Sequence, residues 1–201
     1  MSKQKATSEQ SEEQQETRAR IIDAAYKVLA EKGYEATTLR EISREAQAAP
    51  GLVHYYFGGK GQLFVEVLQA AGRRFTQTTD QLAQRIPANR FIKAALTQPR
   101  ERVQQEPEWY RLRYELFSLG LHNSVITPGL RELLAQGRQD VGKAVARVET
   151  DSPVDRASLS AILIAVFDGL ALQKILDPDF DLEAPYQLLN HMLRCLLLDE
   201  S

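Results

Sequence analysis

From Thr17 onward, apolar residues recur at helical spacing in nearly every segment, and this periodicity restricts the fold more than any other feature of the chain. Ile21, Ile22, Ala25, Val28 and Leu29 form one stripe, closed by Lys32-Gly33, a cation followed by a C-capping residue. Thr38-Leu39-Arg40-Glu41 has the spacing of a capping box and opens a second short helix with Leu39, Ile42 and Ala46 inward. Pro50 suits the first turn of a third helix, and a long fourth runs from about Gly61 to Arg85. Beyond it, Pro87, Pro107, Pro128, Pro153 and Pro185 each stand near a helix start, while Pro99 is expected to kink or split its helix. Leu52–Phe57 (LVHYYF) has strand-forming residues but would be a strand without a partner, so it belongs to the third helix. The expectation is an all-α chain of about nine helices.

Composition narrows the classes of function. A chain of 201 residues, 43% hydrophobic, can bury one core or two small ones. Its 25 Lys and Arg against 27 Asp and Glu exclude a protein that coats nucleic acid by bulk positive charge. Any DNA binding must use a local patch. The single cysteine, Cys195, excludes a disulfide scaffold and a Cys-based zinc site. His54, His122 and His191 lack metal-ligand spacing, and Asp177-Pro-Asp-Phe-Asp has Leu182 where a calcium loop requires glycine. No G-x-G-x-x-G, P-loop or G-x-S-x-G is present. The chain therefore reads as a non-enzyme with no catalytic residues, no metal and no cofactor. Residues 1–16 carry no apolar core, which argues against a secretory signal and for a disordered tail. The most apolar stretch, Ala157–Gln173, is short for a membrane span and carries Asp168. The expected location is the cytoplasm, with no membrane partner.

Two short helices, Thr38–Ala46 and Pro50–Phe57, lie a few residues apart behind a longer one, an arrangement that forms either a helix-turn-helix or a plain three-helix core. The chemistry on the surface favours the first. Between Gln47 and Val65 there is no Asp or Glu, and Arg40, Arg44 and Lys60 stand on or beside that stretch. The outward face of the third helix would show Pro50, Gly51, His54 and Tyr55, while Val53, Tyr56 and Phe57 lean toward the core or the phosphates. Gly58-Gly59 lets the backbone approach closely before the fourth helix, whose N-terminus beside Lys60 suits a phosphate.

Thr38–Phe57 (TLREISREAQAAPGLVHYYF), followed by GGKGQL, strongly resembles the tetracycline-repressor (TetR) family of bacterial transcription regulators. The resemblance extends from about Thr17 to Phe75 through Ala24-Ala25, Gly33-Tyr34 and Thr37-Thr38. It implies a helix-turn-helix DNA-binding domain over residues 17–62 and a helical ligand-binding and dimerisation domain over residues 63–201. It also implies base-edge or groove contacts from Arg40, Pro50, Gly51, Leu52, His54 and Tyr55, and phosphate contacts from Thr38, Tyr56 and Lys60. Two positions depart from the family pattern. Gln47 stands where glycine is usual in the turn, and Ala49 stands where a capping Ser or Thr is common. Further on, Asp168-Gly169-Leu170 is similar to stretches near the family's dimer interface.

The same resemblance implies a ligand pocket and a dimer interface after the DNA-binding domain. In Glu108–Leu121, Trp109, Leu112, Leu116, Phe117 and Gly120 share a stripe with Arg113 in its middle and Tyr110 and Tyr114 at its border. A buried arginine needs a carboxylate, such as Asp168, or a ligand anion. Phe91, His122 and Phe167 complete the candidate lining. In Ala157–Leu176, Leu159, Ile162, Leu163, Val166 and Leu170 form an inward stripe, and Ala161, Ile164, Ala165, Leu172 and Ile175 form a second. With Asp168, Leu189, Met192 and Leu196, this second stripe is the candidate interface of a four-helix dimer contact. The functional expectation is a homodimeric repressor released from a palindromic operator by a small molecule. The alternative is an all-helical binding or scaffolding protein without specific operator control.

Overall fold

The computed structural model describes residues 2–83, 88–148, 150 and 152–198. Among them are nine helices and no strand. These are α1 (Ser2–Ala36), α2 (Leu39–Glu45), α3 (Pro50–Phe57), α4 (Lys60–Ala83), α5 (Ala88–Gln105), α6 (Pro107–Gly120), α7 (Thr127–Ala146), α8 (Arg156–Leu176) and α9 (Glu183–Leu198). They form two compact units, one of Met1–Ala71 with Leu112–Arg131 and one of Gly72–Arg111 with Glu132–Ser201. The division is thus not a single cut near residue 62, because the end of α6 and the start of α7 belong with the N-terminal helices.

In the first unit, the stripe of α1 is buried as its spacing requires: Ile21, Ile22, Ala25, Val28 and Leu29 all lie in the core. Helical geometry in α1 breaks at Gly33, whose φ of 73° lies in the left-handed region that glycine tolerates. Toward the other end, α1 continues back to Ser2, where a disordered tail over residues 1–16 is the sequence expectation. Within this stretch, Glu12 to Glu16 are exposed. Its Gln, Glu, Lys and Ala favour helix, and no Gly or Pro interrupts them. Leu63, Phe64, Val65, Val67 and Leu68 of α4 are buried, as are Leu112 and Leu116 of α6 and Ile126 in the turn before α7. The Thr127 hydroxyl donates to the carbonyls of Gly120 and Asn123 at 2.8 and 2.9 Å and closes that turn.

In the second unit, α5 packs against α8 and α9. It runs through Pro99 without splitting, because a proline removes one hydrogen bond from a helix of 18 residues that its remaining turns keep in place. The starts expected at Pro107 and Pro128 coincide with α6 and α7, whereas Pro87 and Arg85 lie outside the described residues. Helix α8 is capped by Asp155, whose carboxylate accepts from the amides of Ala157 and Ser158 at 3.3 and 3.0 Å. Those contacts, led by Ser158, hold the Asp155 carboxyl below its ordinary range. Leu159, Ser160, Leu163 and Ala171 are the buried face of α8, and Phe167 stacks on Tyr186 of α9 with centroids 6.1 Å apart. The 21 residues of α8 make it long and apolar enough to cross a membrane by length and composition, which corrects the expectation that this segment is too short. Arg156 at one end and Lys174 to Leu176 at the other extend the helix past the apolar run.

Candidate nucleic-acid interface

Helix α2 is closed at its start by the capping box its sequence encodes. Thr38 is extended at φ −119° and its side chain accepts from the Glu41 amide, while the Glu41 carboxylate accepts from the Thr38 amide at 3.0 Å. Lys32 reaches from α1 to the same carboxylate at 2.6 Å. Lys32 first, and Thr38 second, lower the Glu41 pKa from 4.5 to about 2. At the other end, Arg20 of α1 donates to the carbonyl of Ala46 at 2.9 Å, and Lys27 pairs with Glu45 at 2.6 Å. The orientation of α2 on α1 therefore rests on cations of α1 that carry no periodic signal in the sequence.

The turn into α3 passes through Gln47 at φ 50°, a positive value at the position where the family pattern has glycine. Helix α3 then begins differently from α2. Its N-cap, Ala49, offers no side-chain acceptor, and Pro50 occupies the first turn. The amides opening α3 consequently have no side chain folded over them. Pro50, Gly51, His54 and Tyr55 are exposed, the Tyr55 side chain at 75%. Val53 and Phe57 are buried, and Leu52 and Tyr56 are half-buried. Tyr56 meets Tyr55 edge-on at 5.2 Å and Phe57 at 6.3 Å, so it braces the exposed aromatic from behind. Arg18 of α1 lies over the Phe57 ring at 5.3 Å and pairs with Glu66 of α4, fixing the far end of α3. Gly58 ends the helix with its amide on the His54 carbonyl at 2.8 Å.

Of the nine DNA-contact candidates, Thr38, Arg40, Pro50, Gly51, His54 and Tyr55 are exposed, and Leu52, Tyr56 and Lys60 are partly so. Lys60 is also engaged within the protein. Its ammonium lies 4.2 Å from the centroid of the Tyr34 ring and donates to the Glu35 carbonyl at 3.4 Å. Tyr34 in turn stacks on Phe64, with centroids 5.1 Å apart. Lys60 thus joins the start of α4 to the end of α1 while staying at the surface. Its cation is available to one more partner, and its position is set in advance.

The eight pocket candidates divide between the units. Phe91, Trp109 and Tyr110 are buried and Phe167 is half-buried in the second unit. In the first unit Arg113 is buried at 5% exposure with its guanidinium 4.6 Å above the Phe117 ring, Tyr114 and Phe117 are half-buried, and His122 is exposed in the turn after α6. The exposed His122 is therefore no part of an interior lining. A second buried arginine was not legible in the stripe: Arg102 donates to Glu106 at 3.1 Å and covers the Trp109 ring at 3.7 Å. Among the described residues no group of three or more His, Cys, Asp or Glu could hold a metal ion.

The interface candidates also sort unevenly. Ala161, Ala165, Leu172, Met192 and Leu196 are exposed, and Asp168 is half-buried. Leu189 is buried inside its unit, and Ile164 faces Gly137 of α7. Ile162, expected on the inward stripe, is 58% exposed instead. One cause underlies this distribution. Two adjacent apolar residues point about 100° apart, and the α5 and α7 neighbours, invisible in the stripe, decide which of them turns in.

Residues 21–67 match the family model described as "Bacterial regulatory proteins, tetR family", and residues 90–197 match "Tetracyclin repressor-like, C-terminal domain". The chain is 37% identical over 86 residues to the HTH-type transcriptional regulator BetI of Rhizobium meliloti (strain 1021), a match covering 43% of this chain and 37% of that protein. It is 25% identical over 173 residues to the HTH-type transcriptional regulator PksA of Bacillus subtilis (strain 168), covering 80% of each. A solved structure of the multidrug binding protein EbrR complexed with ethidium superposes with a TM-score of 0.68 at 27% identity, covering 88% of this chain and 98% of that one.

Proposed function

This chain belongs to the tetR family of bacterial regulatory proteins, and on that footing we propose that it works as a homodimeric repressor released from a palindromic operator by a small molecule. The observation that carries the DNA reading is α3. An eight-residue helix presents His54 and Tyr55 outward, opens on amides without a side-chain cap, and lies in a stretch from Gln47 to Val65 without a carboxylate. Such a helix can place side chains on base edges while its N-terminus and Lys60 meet phosphates.

The dimer reading rests on α8 and α9. Ile162, Leu172 and Leu176 of α8 and Leu188, Met192 and Leu196 of α9 are large apolar side chains left exposed, from 40% to 76%. Two such helices from each of two copies would cover one another in a four-helix contact. Because the opposite face of α8 is packed inside its own unit, a second copy accounts for the exposed face better than a lipid bilayer does. A regulator of this kind works in the cytoplasm.

The effector reading rests on likeness and on one residue. EbrR is described as holding ethidium, and Arg113 is a buried cation beside an aromatic ring. A ligand would favour the dimer state in which the two copies of α3 no longer fit successive major grooves, with α4, continuous from Lys60 to Ala83, as the lever. Footprinting on the DNA upstream of the protein's own gene tests the proposal. A protected dyad-symmetric site is the expected result, and its absence would favour a helical binding or scaffolding role.

A further inference from the structure

We infer that Glu115 is a positioning residue that couples α6 to the DNA-reading helices through the backbone at the end of α1, an inference that rests on the DNA reading above. The Tyr34 amide, freed from helical hydrogen bonding by the break at Gly33, donates to the Glu115 carboxylate at 2.9 Å from a residue 81 positions away. The other carboxylate oxygen sits 3.0 Å from where a Cβ on Gly33 would stand, so a side chain there would push the carboxylate aside slightly, and the positive φ favours glycine.

What Glu115 touches is a joint. From Gly33 to Thr38 the chain turns from α1 into α2: the Thr37 hydroxyl donates to the Gly33 carbonyl at 2.7 Å, its amide donates to the Tyr34 carbonyl at 3.2 Å, and Thr38 is the cap of α2. Lys60, at the head of α4, rests on Tyr34 and Glu35. One carboxylate on α6 therefore bears on the segment to which α1, α2 and α4 are all attached.

The electrostatics make this contact easy to release. A helix C-terminus carries a partial negative charge, so a carboxylate held against the end of α1 is opposed by the dipole, and Glu115 is exposed to water. Trp109, the only tryptophan of the chain, stands six residues before Glu115 in the sequence of the same helix. Its ring carries Arg102 of α5 on its face at 3.7 Å, so its emission should respond when α6 shifts against α5. If the joint and α6 are coupled, occupancy of one must be felt at the other in both directions.

The test titrates the full chain with a duplex selected from a random pool by the wild-type protein and reads both DNA affinity and Trp109 emission. The wild type is expected to change emission on binding. Glu115→Ala should bind within about fivefold of wild type, the low end of allosteric coupling, yet lose the emission change. Glu115→Gln, which keeps an acceptor for the Tyr34 amide and removes the opposed charge, should retain it. A variant that had merely damaged the fold would lose affinity and thermal stability together. Should Glu115→Ala not fold, exchange of the Tyr34 amide in the wild type carries the test, with slowing of about tenfold expected on DNA. An Ala variant that responds like wild type, a Gln variant that fails like Ala, a wild type that binds without an emission change, or unaltered Tyr34 exchange would each overturn the inference. A wild type that selects no duplex overturns the DNA reading and this one with it.

Discussion

Helices α3 and α8 both leave aromatic or aliphatic side chains in water, and the proposed division into a DNA-facing and a protein-facing surface rests on the difference between their surroundings. On α3 the exposed Tyr55 has His54 beside it in a stretch with no carboxylate from Gln47 to Val65. On α8 the exposed Ile162, Ala165 and Leu172 lie on a mainly apolar face that holds one half-buried carboxylate, Asp168, and α9 adds Leu188, Met192 and Leu196. Their caps diverge in the same sense. Asp155 closes the start of α8 with its carboxylate, whereas Ala49 leaves the start of α3 open. A carboxylate cap at α3 would repel a phosphate exactly where a helix N-terminus would otherwise attract one; at α8 it only adds stability.

The comparison can be broken at either end. The largest effect is expected from Ala165→Glu, which puts a charge on the exposed face of α8. The protein should sediment as a monomer and lose operator affinity by at least about 10³-fold, the low end of the gap between specific and non-specific binding. An intact dimer would contradict the placement. Arg113→Met divides the reading of the buried cation. Loss of about 3–5 kcal/mol in thermal unfolding would mark a structural ion pair, whereas normal folding with loss of effector release would mark a ligand contact. Alanine at His54 or Tyr55 should leave the dimer intact and shift base preference by about 1–3 kcal/mol at a contacted pair, read by competition among operator variants. Lys60→Ala should weaken all duplexes alike and reduce the salt slope by about one unit.

The smallest effect lies in the capping of α2. Glu41 is held below its ordinary value, so its contribution to stability is complete above about pH 4.5 and is lost as the pH falls through about 2. The difference in melting temperature between wild type and Glu41→Gln should therefore be constant at neutral pH and shrink across that acid window. A difference that instead grew toward acid would show that Lys32 and Thr38 do not hold the charged form.

Local chemistry was legible in the sequence where partners are a few residues apart. The Thr38–Glu41 box, Pro50 at the start of α3, the left-handed Gly33 and the buried stripe of α1 all follow from short-range rules. What stayed hidden joins distant residues. Nothing periodic relates Glu115 to Tyr34, or Arg20 to Ala46, and so neither the mounting of α2 on α1 nor the entry of Leu112–Arg131 into the first unit was legible. On α8 and α9 the apolar pattern runs around most of the helix, so the stripe alone does not say that Leu188 faces out and Leu189 in. Neighbouring helices settle that, and they are brought there by the fold.

The most direct measurement of the division between α3 and α8 is the number of chains bound to a duplex carrying the protected site, taken by sedimentation equilibrium for the wild type and for Ala165→Glu. The wild type should bind as two chains on a full dyad and the variant as one chain on a half-site at far lower affinity. Two wild-type chains binding independently to separated half-sites, or one chain filling the whole protected sequence, would contradict the account.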